Sequence, residues 1–335
     1  MKKILVTGGL GFIGSHTVVE LQNKGFEVVI IDDLSNSKIT VLDKITEITG
    51  VKPDFHQLDL RIKQNVTNFF NNNTVDGIIH FAAFKAVGES VENPLDYYEN
   101  NIGSLVYLLQ EIRNRKLDNF IFSSSCTVYG QADELPITEN APTKPAESPY
   151  GNTKQIGEEI IKDSCKAYNI NAIALRYFNP TGAHDSLKIG ELPLGVPQNL
   201  IPYVTQTAAG IRKELAVFGD DYNTPDGTAI RDYIHVVDLA KAHIAALNRL
   251  LEKKNKTNFE FFNVGTGTGS SVLEVINTFE KVTHKKLNYK IVAKRAGDIT
   301  AAYADTTIAN KELNWKTEKT LEDALLSSWK WQKKQ

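Results

Sequence analysis

The chain has 335 residues, of which 41% are hydrophobic, and a formal net charge of −2 at pH 7. It is long enough for two lobes around a packed core, and it lacks the basic surplus of a nucleic-acid-binding protein. With only two cysteines, no Cys/His cluster at metal-ligand spacing and no long apolar stretch near its start, it is expected to be a cytoplasmic protein without a signal peptide, a membrane span, a disulfide framework or a metal site.

The chain opens with an apolar strand, a glycine-rich turn and the start of a helix. The turn contains Gly8, Gly11 and Gly14, and a second apolar strand, 28–31, runs into Asp32. Glycines let the backbone approach a pyrophosphate, the helix N-terminus attracts its negative charge, and a carboxylate after the second strand can bind an adenosine ribose. This order favours a dinucleotide site over an ordinary strand-turn-helix unit.

Apolar runs alternate with longer amphipathic stretches through the rest of the first half. Strands that alternate with helices predict an α/β fold with a Rossmann-type, doubly wound parallel sheet. Ligands bind beyond the carboxyl ends of the strands in such a sheet, where Ser125 and Asn179 are expected. The predicted strands are 78–81, 120–123 and 172–177, and the predicted helices include 15–24, 102–115 and 151–168.

Tyr150 and Lys154 lie four residues apart at the start of a predicted helix, so both side chains share one face. Of the twelve tyrosines, only Tyr150 has a lysine at this spacing. A phenol has a pKa near ~10, so a tyrosine that acts as a base near neutral pH needs roughly 4 kcal/mol of stabilisation of its anion, which an ammonium and a cationic nicotinamide can supply. Ser125 offers a hydroxyl to hold a substrate oxygen. The pair is therefore predicted to be catalytic rather than an ordinary solvated helix face.

The pattern changes after Asn179-Pro180. Residues 182–202 are rich in Gly, Pro and Asn without periodicity, which predicts an irregular loop. We predict a dinucleotide-binding Rossmann domain over residues 1–180, with return segments near 229–249. Residues 181–335 are predicted to form mainly a smaller, mixed α/β C-terminal substrate lobe.

The motifs Thr7-Gly8-x-x-Gly11-x-x-Gly14, Ser125 and Tyr150-x-x-x-Lys154 together resemble the extended short-chain dehydrogenase/reductase superfamily. Within that superfamily, the chain resembles the UDP-glucose/UDP-galactose 4-epimerase family over nearly its whole length. The stretches that carry this resemblance are 80–90, 97–101, 123–130, 176–180, 218–222 and 231–235.

The resemblance implies an NAD-dependent isomerase of carbohydrate metabolism, including galactose metabolism. The implied reaction is the reversible C4 epimerisation of a UDP-sugar through a transient 4-keto sugar. Tyr150 would take the proton from the 4-hydroxyl, Lys154 would lower the pKa of Tyr150 and hold the nicotinamide ribose, and Ser125 would orient the O4 atom. NAD would stay bound between turnovers. The family also implies a homodimer, with helices near 95–113 and 151–168 at the interface.

The resemblance further implies a set of cofactor-binding residues. In that set the glycine turn cradles the pyrophosphate, Asp32 binds the adenosine ribose and Asp59 the adenine, and Lys85 and Asn100 line the groove. The alternatives are strand-end caps for the two aspartates, a surface charge for Lys85 and an ordinary polar helix residue for Asn100. The implied cofactor set is Gly8, Gly11, Phe12, Ile13, Gly14, Asp32, Asn36, Asp59, Leu60, Phe81, Ala82, Lys85, Asn100, Tyr150, Lys154 and Phe178.

A second set would bind the UDP-sugar, largely in the C-terminal lobe. Two arginines in it, Arg231 and Arg295, suit a diphosphate because guanidinium forms paired hydrogen bonds with phosphate. The alternative for Arg231 is a salt bridge to Asp232 or Asp238. The implied substrate set is Ser125, Tyr150, Asn179, Asn199, Leu200, Phe218, Arg231, Arg295, Asp298 and Ala302.

Related enzymes that eliminate water or carbon dioxide from nucleotide sugars are an alternative. Those relatives use an acidic side chain just before a Val-Tyr-Gly sequence, where this chain has Cys126 and Thr127. An NADP-linked reductase is disfavoured because Asp32 would repel a ribose 2′-phosphate. A non-catalytic nucleotide-sensing member of the fold is disfavoured because Tyr150 and Lys154 are both present.

The substrate range is predicted from Ala302. In the family, the position four residues after the aspartate of Arg295-Ala296-Gly297-Asp298 borders the C2 substituent of the sugar, and a tyrosine there excludes N-acetyl sugars. Alanine lacks that bulk, so activity on UDP-N-acetylglucosamine/UDP-N-acetylgalactosamine is expected as well as on UDP-glucose/UDP-galactose. Tyr303 is the next residue, and a shift of one residue in register would place it at this gate.

Overall fold

The structure is a computed structural model and describes residues 1–295 and 298–335. The first half of the chain alternates strands and helices, as its apolar pattern predicts. Its elements are β1 (Lys3–Thr7), α1 (Phe12–Asn23), β2 (Glu27–Asp32), α2 (Thr40–Thr49), β3 (Asp54–Gln57), α3 (Lys63–Asn72), β4 (Gly77–His80), α4 (Val87–Glu92), α5 (Pro94–Tyr98), a wide helical turn (Glu99–Gly103), α6 (Ser104–Arg115), β5 (Asn119–Ser125), a tight helical turn (Cys126–Tyr129), α7 (Pro149–Tyr168) and β6 (Asn171–Tyr177).

The second half has shorter strands and a less regular order. Its elements are β7 (Asn179–Thr181), α8 (Leu200–Ala208), β8 (Leu215–Phe218), β9 (Ile230–Arg231), β10 (Tyr233–His235), α9 (Val236–Leu251), β11 (Phe259–Val264), β12 (Ser270–Ser271), α10 (Val272–Thr283), β13 (Tyr289–Val292), β14 (Ala301–Ala302), α11 (Thr307–Leu313) and α12 (Leu321–Gln332).

Seven of the strands that the structure describes form one parallel sheet in the order β11-β6-β5-β4-β1-β2-β3. Its central strands are apolar on both faces because helices cover both. Ile4 and Val6 of β1 pack with residues of α1 and α9, whereas Leu5 packs on the opposite face with residues of α3 and α6. Successive strand residues point to opposite faces, so one apolar strand serves two cores. The predicted Rossmann-type, doubly wound sheet is confirmed.

The second half adds a smaller mixed α/β layer. A third apolar cluster lies among α8, α10 and α12, next to the parallel pair β8 and β13. A small sheet in the order β12-β9-β14 and the parallel pair β7 and β10 connect this layer to the main sheet.

The edge strand β11 comes from the second half of the chain, yet it pairs with β6 in the main sheet. The predicted return segments near 229–249 include α9, which packs against α1, but they do not include β11. The division at residue 180 remains a prediction, and β11 adds 259–264 to the residues that return to the main sheet.

Candidate active site

A cleft of about 1410 Å³ lies beyond the carboxyl ends of the central strands. Loops that follow β1, β2, β4 and β5 form one side of it, and residues of the irregular segment 182–199 form the other. Every residue of the predicted cofactor set lines this cleft, as do Ser125, Asn179, Asn199 and Leu200 of the predicted substrate set. The parallel register explains this convergence, because the carboxyl ends of the strands meet at one edge.

The glycine turn after β1 is shaped for close approach of a ligand. Gly8 has φ +68°, and a Cβ there would lie 2.8 Å from the Ala82 nitrogen. A Cβ at Gly14 would lie 2.2 Å from the Gly8 oxygen, so the turn and the first turn of α1 tolerate no side chain at this point. Among the described side chains, none caps α1, which leaves the first N–H groups of that helix for an anion. This cradle fits the pyrophosphate of a dinucleotide.

Asp32 ends β2 and braces the glycine turn. Its carboxylate accepts hydrogen bonds from the backbone N–H of Leu10 at 3.0 Å and of Leu34 at 3.0 Å, and from the Ser37 hydroxyl at 2.7 Å. The side chain is buried but lines the cleft. Asp32 therefore caps the end of its strand, which is the alternative considered from the sequence. It also lies where its carboxylate can face a ribose in the cleft.

Asp59 lies near the outer end of the same cleft. Its carboxylate forms an ion pair with the Arg61 guanidinium at 2.8 Å, and that contact holds the pKa of Asp59 below its usual value. The pair is partly exposed, so its contribution to stability is small.

Tyr150 and Lys154 are positioned by the start of α7. Ser148 caps this helix by accepting a hydrogen bond from the Gly151 N–H at 3.1 Å, and Pro149 occupies its first position. Lys154, one turn later, donates to the Ser123 carbonyl at 2.7 Å and lies 5.8 Å from the centre of the Tyr150 ring. The helix therefore holds the phenol and the ammonium beside the end of β5.

Burial dominates the protonation of both groups. It raises the pKa of Tyr150 to about 12, against the opposite effect of the Ser125 hydroxyl. It lowers the pKa of Lys154 to about 8, against the opposite effect of the Glu158 carboxylate. The direction for Tyr150 is opposite to the one expected from the sequence, because desolvation of a phenolate outweighs the stabilisation that the groups of the chain provide. Lys154 keeps its charge at neutral pH.

Sequence reasoning missed a buried ion pair behind α7. The Glu158 carboxylate, one turn after Lys154, binds the Arg176 guanidinium through two nitrogens and accepts a hydrogen bond from the Ser124 hydroxyl. The Arg176 guanidinium also stacks on the Phe261 ring at 4.0 Å. These contacts tie α7 to β5, β6 and β11. The sequence did contain one signal for this ion pair. Glu158 follows Lys154 by four residues, as Lys154 follows Tyr150, so all three side chains share one face of the helix.

A second missed residue is Asn101, in the wide helical turn before α6. Its side chain bonds both the N–H and the carbonyl of Phe84, at 2.8 and 3.0 Å, and donates to the Thr153 hydroxyl at 3.0 Å. Asn101 therefore fixes the loop after β4 against α7. Asn100, the neighbouring residue in the predicted cofactor set, donates to the Asn101 side chain and lines the cleft.

The other five residues of the predicted substrate set, Phe218, Arg231, Arg295, Asp298 and Ala302, lie outside the lining of the main cleft, and the first four form two pairs. The Arg231 guanidinium binds the Asp298 carboxylate at 2.5 Å, and the Arg295 guanidinium lies 3.8 Å from the centre of the Phe218 ring. Arg231 thus pairs with Asp298 and not with Asp232 or Asp238, the partners considered from the sequence. Ala296 and Gly297 of the predicted motif lie outside the described residues.

Asp232 instead organises the backbone around Arg231. Its buried carboxylate accepts hydrogen bonds from the N–H groups of Thr266, Gly267 and Ala304. Burial raises the pKa of Asp232, while these donors act in the opposite direction.

Ala302 and Tyr303 face different neighbours. Ala302 is 2% exposed and packs in a cluster that includes Phe178 and Val128, which follow the ends of β6 and β5. Tyr303 lies against Gly269, where an added Cβ would be 2.9 Å from the tyrosine ring. Of the two, Ala302 is the one that packs with Phe178, a residue of the predicted cofactor set, and its place at the gate stays a prediction.

Residues 1–295 and 298–335 contain no group of three or more His, Cys, Asp or Glu side chains arranged to hold a metal ion. In the same part of the chain, no helix has the length and apolar character needed to cross a membrane. Both cysteines are free thiols, with Cys165 buried and Cys126 partly exposed.

Comparison with known proteins agrees with this geometry. A family model described as GDP-mannose 4,6 dehydratase matches residues 5–327. The chain is 48% identical to the UDP-glucose 4-epimerase of Bacillus subtilis, over 98% of this chain and 96% of that protein.

Two crystal structures have the same fold over the whole chain. The UDP-glucose-4-epimerase from Stenotrophomonas maltophila, with bound NAD and formylated UDP-arabinopyranose, has a TM-score of 0.96 and 45% identity over 100% of this chain and 98% of that one. The UDP-glucose 4-epimerase from Bifidobacterium longum, in complex with NAD+ and UDP, has a TM-score of 0.95 and 47% identity over 99% of this chain and 98% of that one.

Proposed function

The chain belongs to the UDP-glucose 4-epimerases, within the wider family that the GDP-mannose 4,6 dehydratase model describes, and we propose that Tyr150, Lys154 and Ser125 carry its chemistry. It is an NAD-dependent isomerase that catalyses the reversible C4 epimerisation of UDP-hexoses. The observation that supports the residue assignment is the convergence of these three side chains in the cleft, beside the glycine cradle.

The cleft residues fit NAD. The glycine turn would hold the pyrophosphate, and Asp32 would accept hydrogen bonds from the adenosine ribose while opposing a 2′-phosphate by like charge. When bound, NAD supplies the acceptor and donor of the hydride at C4 of the sugar. Mass spectrometry of the nucleotide released from the purified protein tests this assignment: NAD is the expected species, and NADP as the main species would contradict the role of Asp32.

Tyr150 would act as the base that removes the proton from the 4-hydroxyl and returns it after inversion. Lys154 is placed to assist, because its ammonium donates to the Ser123 carbonyl at 2.7 Å and lies 5.8 Å from the centre of the Tyr150 ring. A positive charge at this distance favours the phenolate against the burial that raises the pKa of Tyr150. Ser125, at the end of β5, would orient the O4 atom. Inversion requires the 4-keto sugar to turn over between the two hydride transfers.

The UDP-sugar would lie between the cleft and the second layer. Asn179, Asn199 and Leu200 line the cleft on that side. Arg231 and Arg295 would bind the diphosphate, and in doing so they would exchange their present partners, Asp298 and Phe218, for phosphate oxygens.

The same site would accept N-acetylated UDP-hexoses. Support comes from the small side chain of Ala302 beside Phe178 and from the position of Tyr303 against Gly269, away from that cluster. A pocket without a bulky group at this point has no steric element against an acetamido substituent.

The enzyme is proposed to be a cytoplasmic homodimer. The free thiols agree with a reducing compartment. Leu95 of α5 is 79% exposed and Tyr168 at the end of α7 is 49% exposed, which places apolar surface on both helices predicted to form the interface. Light scattering on the purified protein measures the oligomeric state, and a monomer at micromolar concentration would contradict the proposal.

The site assignment is tested by Tyr150→Phe, which removes only the titrating oxygen. We expect turnover of UDP-galactose to fall by about 10²–10⁴-fold, since base catalysis contributes that much, with binding of NAD and UDP retained. Tyr289→Phe, at an exposed tyrosine of β13 outside the cleft lining, is the control and should keep wild-type turnover. Wild-type turnover in a folded Tyr150→Phe protein would contradict the mechanism.

A further inference from the structure

Glu191 lies in the irregular segment between β7 and α8 and contacts both sides of the cleft. Its Oε1 accepts a hydrogen bond from the Asn199 side-chain amide at 2.8 Å and lies 3.6 Å from the Lys85 ammonium. Lys85 follows β4 and belongs to the predicted cofactor set, whereas Asn199 directly precedes α8 and belongs to the predicted substrate set. The Glu191 carboxylate therefore contacts one residue of each predicted set.

The backbone of Glu191 is anchored from the C-terminal helix. The Trp331 indole N–H donates to the Glu191 carbonyl at 3.0 Å. The neighbouring Gly190 lies so close to the same ring that a Cβ there would be 2.7 Å from it. The Glu191 side chain is only 12% exposed, compared with 48% for Lys85. Glu191 is thus held in place independently of the two side chains it contacts.

The contact with Glu191 also explains a departure from ordinary helix capping. Asn199 occupies the N-cap position of α8, where asparagine usually accepts a hydrogen bond from the second or third helical N–H; the third residue here is Pro202, which has no N–H, so Ile201 carries the one N–H available for such a cap. Here its amide donates to Glu191, and no side chain that the structure describes caps α8. The first N–H groups of α8 and the Asn199 oxygen are consequently left for another partner at the cleft.

We propose that Glu191 is a positioning residue for UDP-sugar binding, which holds the Asn199 amide away from the α8 N-terminus and turned toward the ligand. This inference rests on the proposed function, because that function assigns Asn199 to the substrate. Of the two contacts, the Asn199 hydrogen bond carries the effect, since it is the shorter one at 2.8 Å. The ion pair with the half-exposed Lys85 is long and solvent-screened, so it mainly keeps the carboxylate on that side of the cleft. A ligand group fixed before binding costs less conformational entropy.

The test is calorimetric binding of UDP to the purified holoenzyme. In Glu191→Ala the Asn199 amide is free to cap α8, and we expect the Kd of UDP to rise about three- to tenfold, the value of one hydrogen bond. Glu191→Gln keeps an acceptor oxygen and should return the Kd to within about twofold of wild type. Asp185→Asn is the matched control. Asp185 lies in the same segment as Glu191, but its ion pair is with Lys319 and not with Lys85 or Asn199. This variant should bind UDP as wild type does.

A double-mutant cycle of Glu191→Ala with Asn199→Ala isolates the pair. If Glu191 acts through Asn199, the two losses are not additive, and the KM for UDP-galactose rises with little change in kcat. The proposal is overturned if Glu191→Ala binds UDP as tightly as Asp185→Asn, or if the two losses add. UDP binding requires no turnover, so this outcome is separate from a failure of the epimerase assignment, which would show as a wild-type protein that does not act on UDP-galactose.

Discussion

Lys154, for which we propose a catalytic role, carries an unfavourable buried charge. It is 4% exposed, and burial lowers its pKa from 10.5 to about 8. The unfolded chain therefore binds more protons than the folded chain between pH 8 and pH 10.5, so the contribution of Lys154 to stability improves as the pH rises through that window and is least favourable below it.

We expect Lys154→Met to raise the free energy of unfolding at pH 7 by roughly 1–3 kcal/mol, because the charge is removed while the volume is nearly kept, and to lose most of the activity. The gain should shrink at pH 10. Urea denaturation at the two pH values measures it, with Lys162→Met as the control, since Lys162 is an exposed lysine of the same helix. A Lys154→Met protein less stable than this control at pH 7 would contradict the account.

The proposed substrate range depends on the small side chain of Ala302. We expect Ala302→Tyr to lose activity on UDP-N-acetylglucosamine and keep activity on UDP-galactose, because the ring would add bulk beside Phe178. Ala302→Ser keeps a small side chain and should act on both substrates. Steady-state assays of the three proteins provide the measurement. If the wild type does not turn over UDP-N-acetylglucosamine at saturating concentration, the proposed range is wrong.

At the scale of elements, the start of α7 sets the geometry of the phenol. Ser148→Ala removes its side-chain cap, and we expect the free energy of unfolding to fall by about 0.5–2 kcal/mol and kcat to fall as well, since Tyr150 lies in the first turn. Ser148→Thr retains an acceptor and should recover most of both quantities. Thermal denaturation and a UDP-galactose assay measure them. A Ser148→Ala protein with unchanged stability would show that this cap does not hold the helix.

Elements with strong local patterns could be predicted, and those that depend on distant partners could not. The predicted helix 151–168 begins two residues late because Ser148 and Pro149 are its cap and first position. The strand β11 was missed because it is an edge strand with a mixed sequence, Phe-Glu-Phe-Phe-Asn-Val, whose neighbour β6 is remote in the chain. The apolar residues of β11 contribute to the core only once the strand pairs with β6.

The same reasoning applies to the site. The glycine turn, Asp32, Tyr150 and Lys154 could be proposed as site residues from the sequence because their motifs are local in the chain, and their roles stay predictions. The role proposed for Glu191 could not be predicted from the sequence, because it depends on contacts with Lys85 and Asn199 that the fold creates.

At the scale of the whole molecule, the cleft lies between a rigid parallel sheet and a second layer built from shorter elements. The glycine cradle and α7, which carries Tyr150 and Lys154, lie in the first half of the chain with the parallel sheet, whereas Asn199, Arg231 and Arg295 lie in the second half. Both halves must therefore be in place before a UDP-sugar can meet the phenol. Because epimerisation returns the hydride to the substrate, the assembled protein with its bound NAD should act without added cofactor.

The most direct test starts the purified protein, without added NAD, from UDP-galactose in one sample and from UDP-glucose in another, and follows both sugars by NMR. We predict that the two samples reach the same mixture of the two UDP-hexoses, with no change in substrate mass. No interconversion, or a product lighter by one water, would contradict the account.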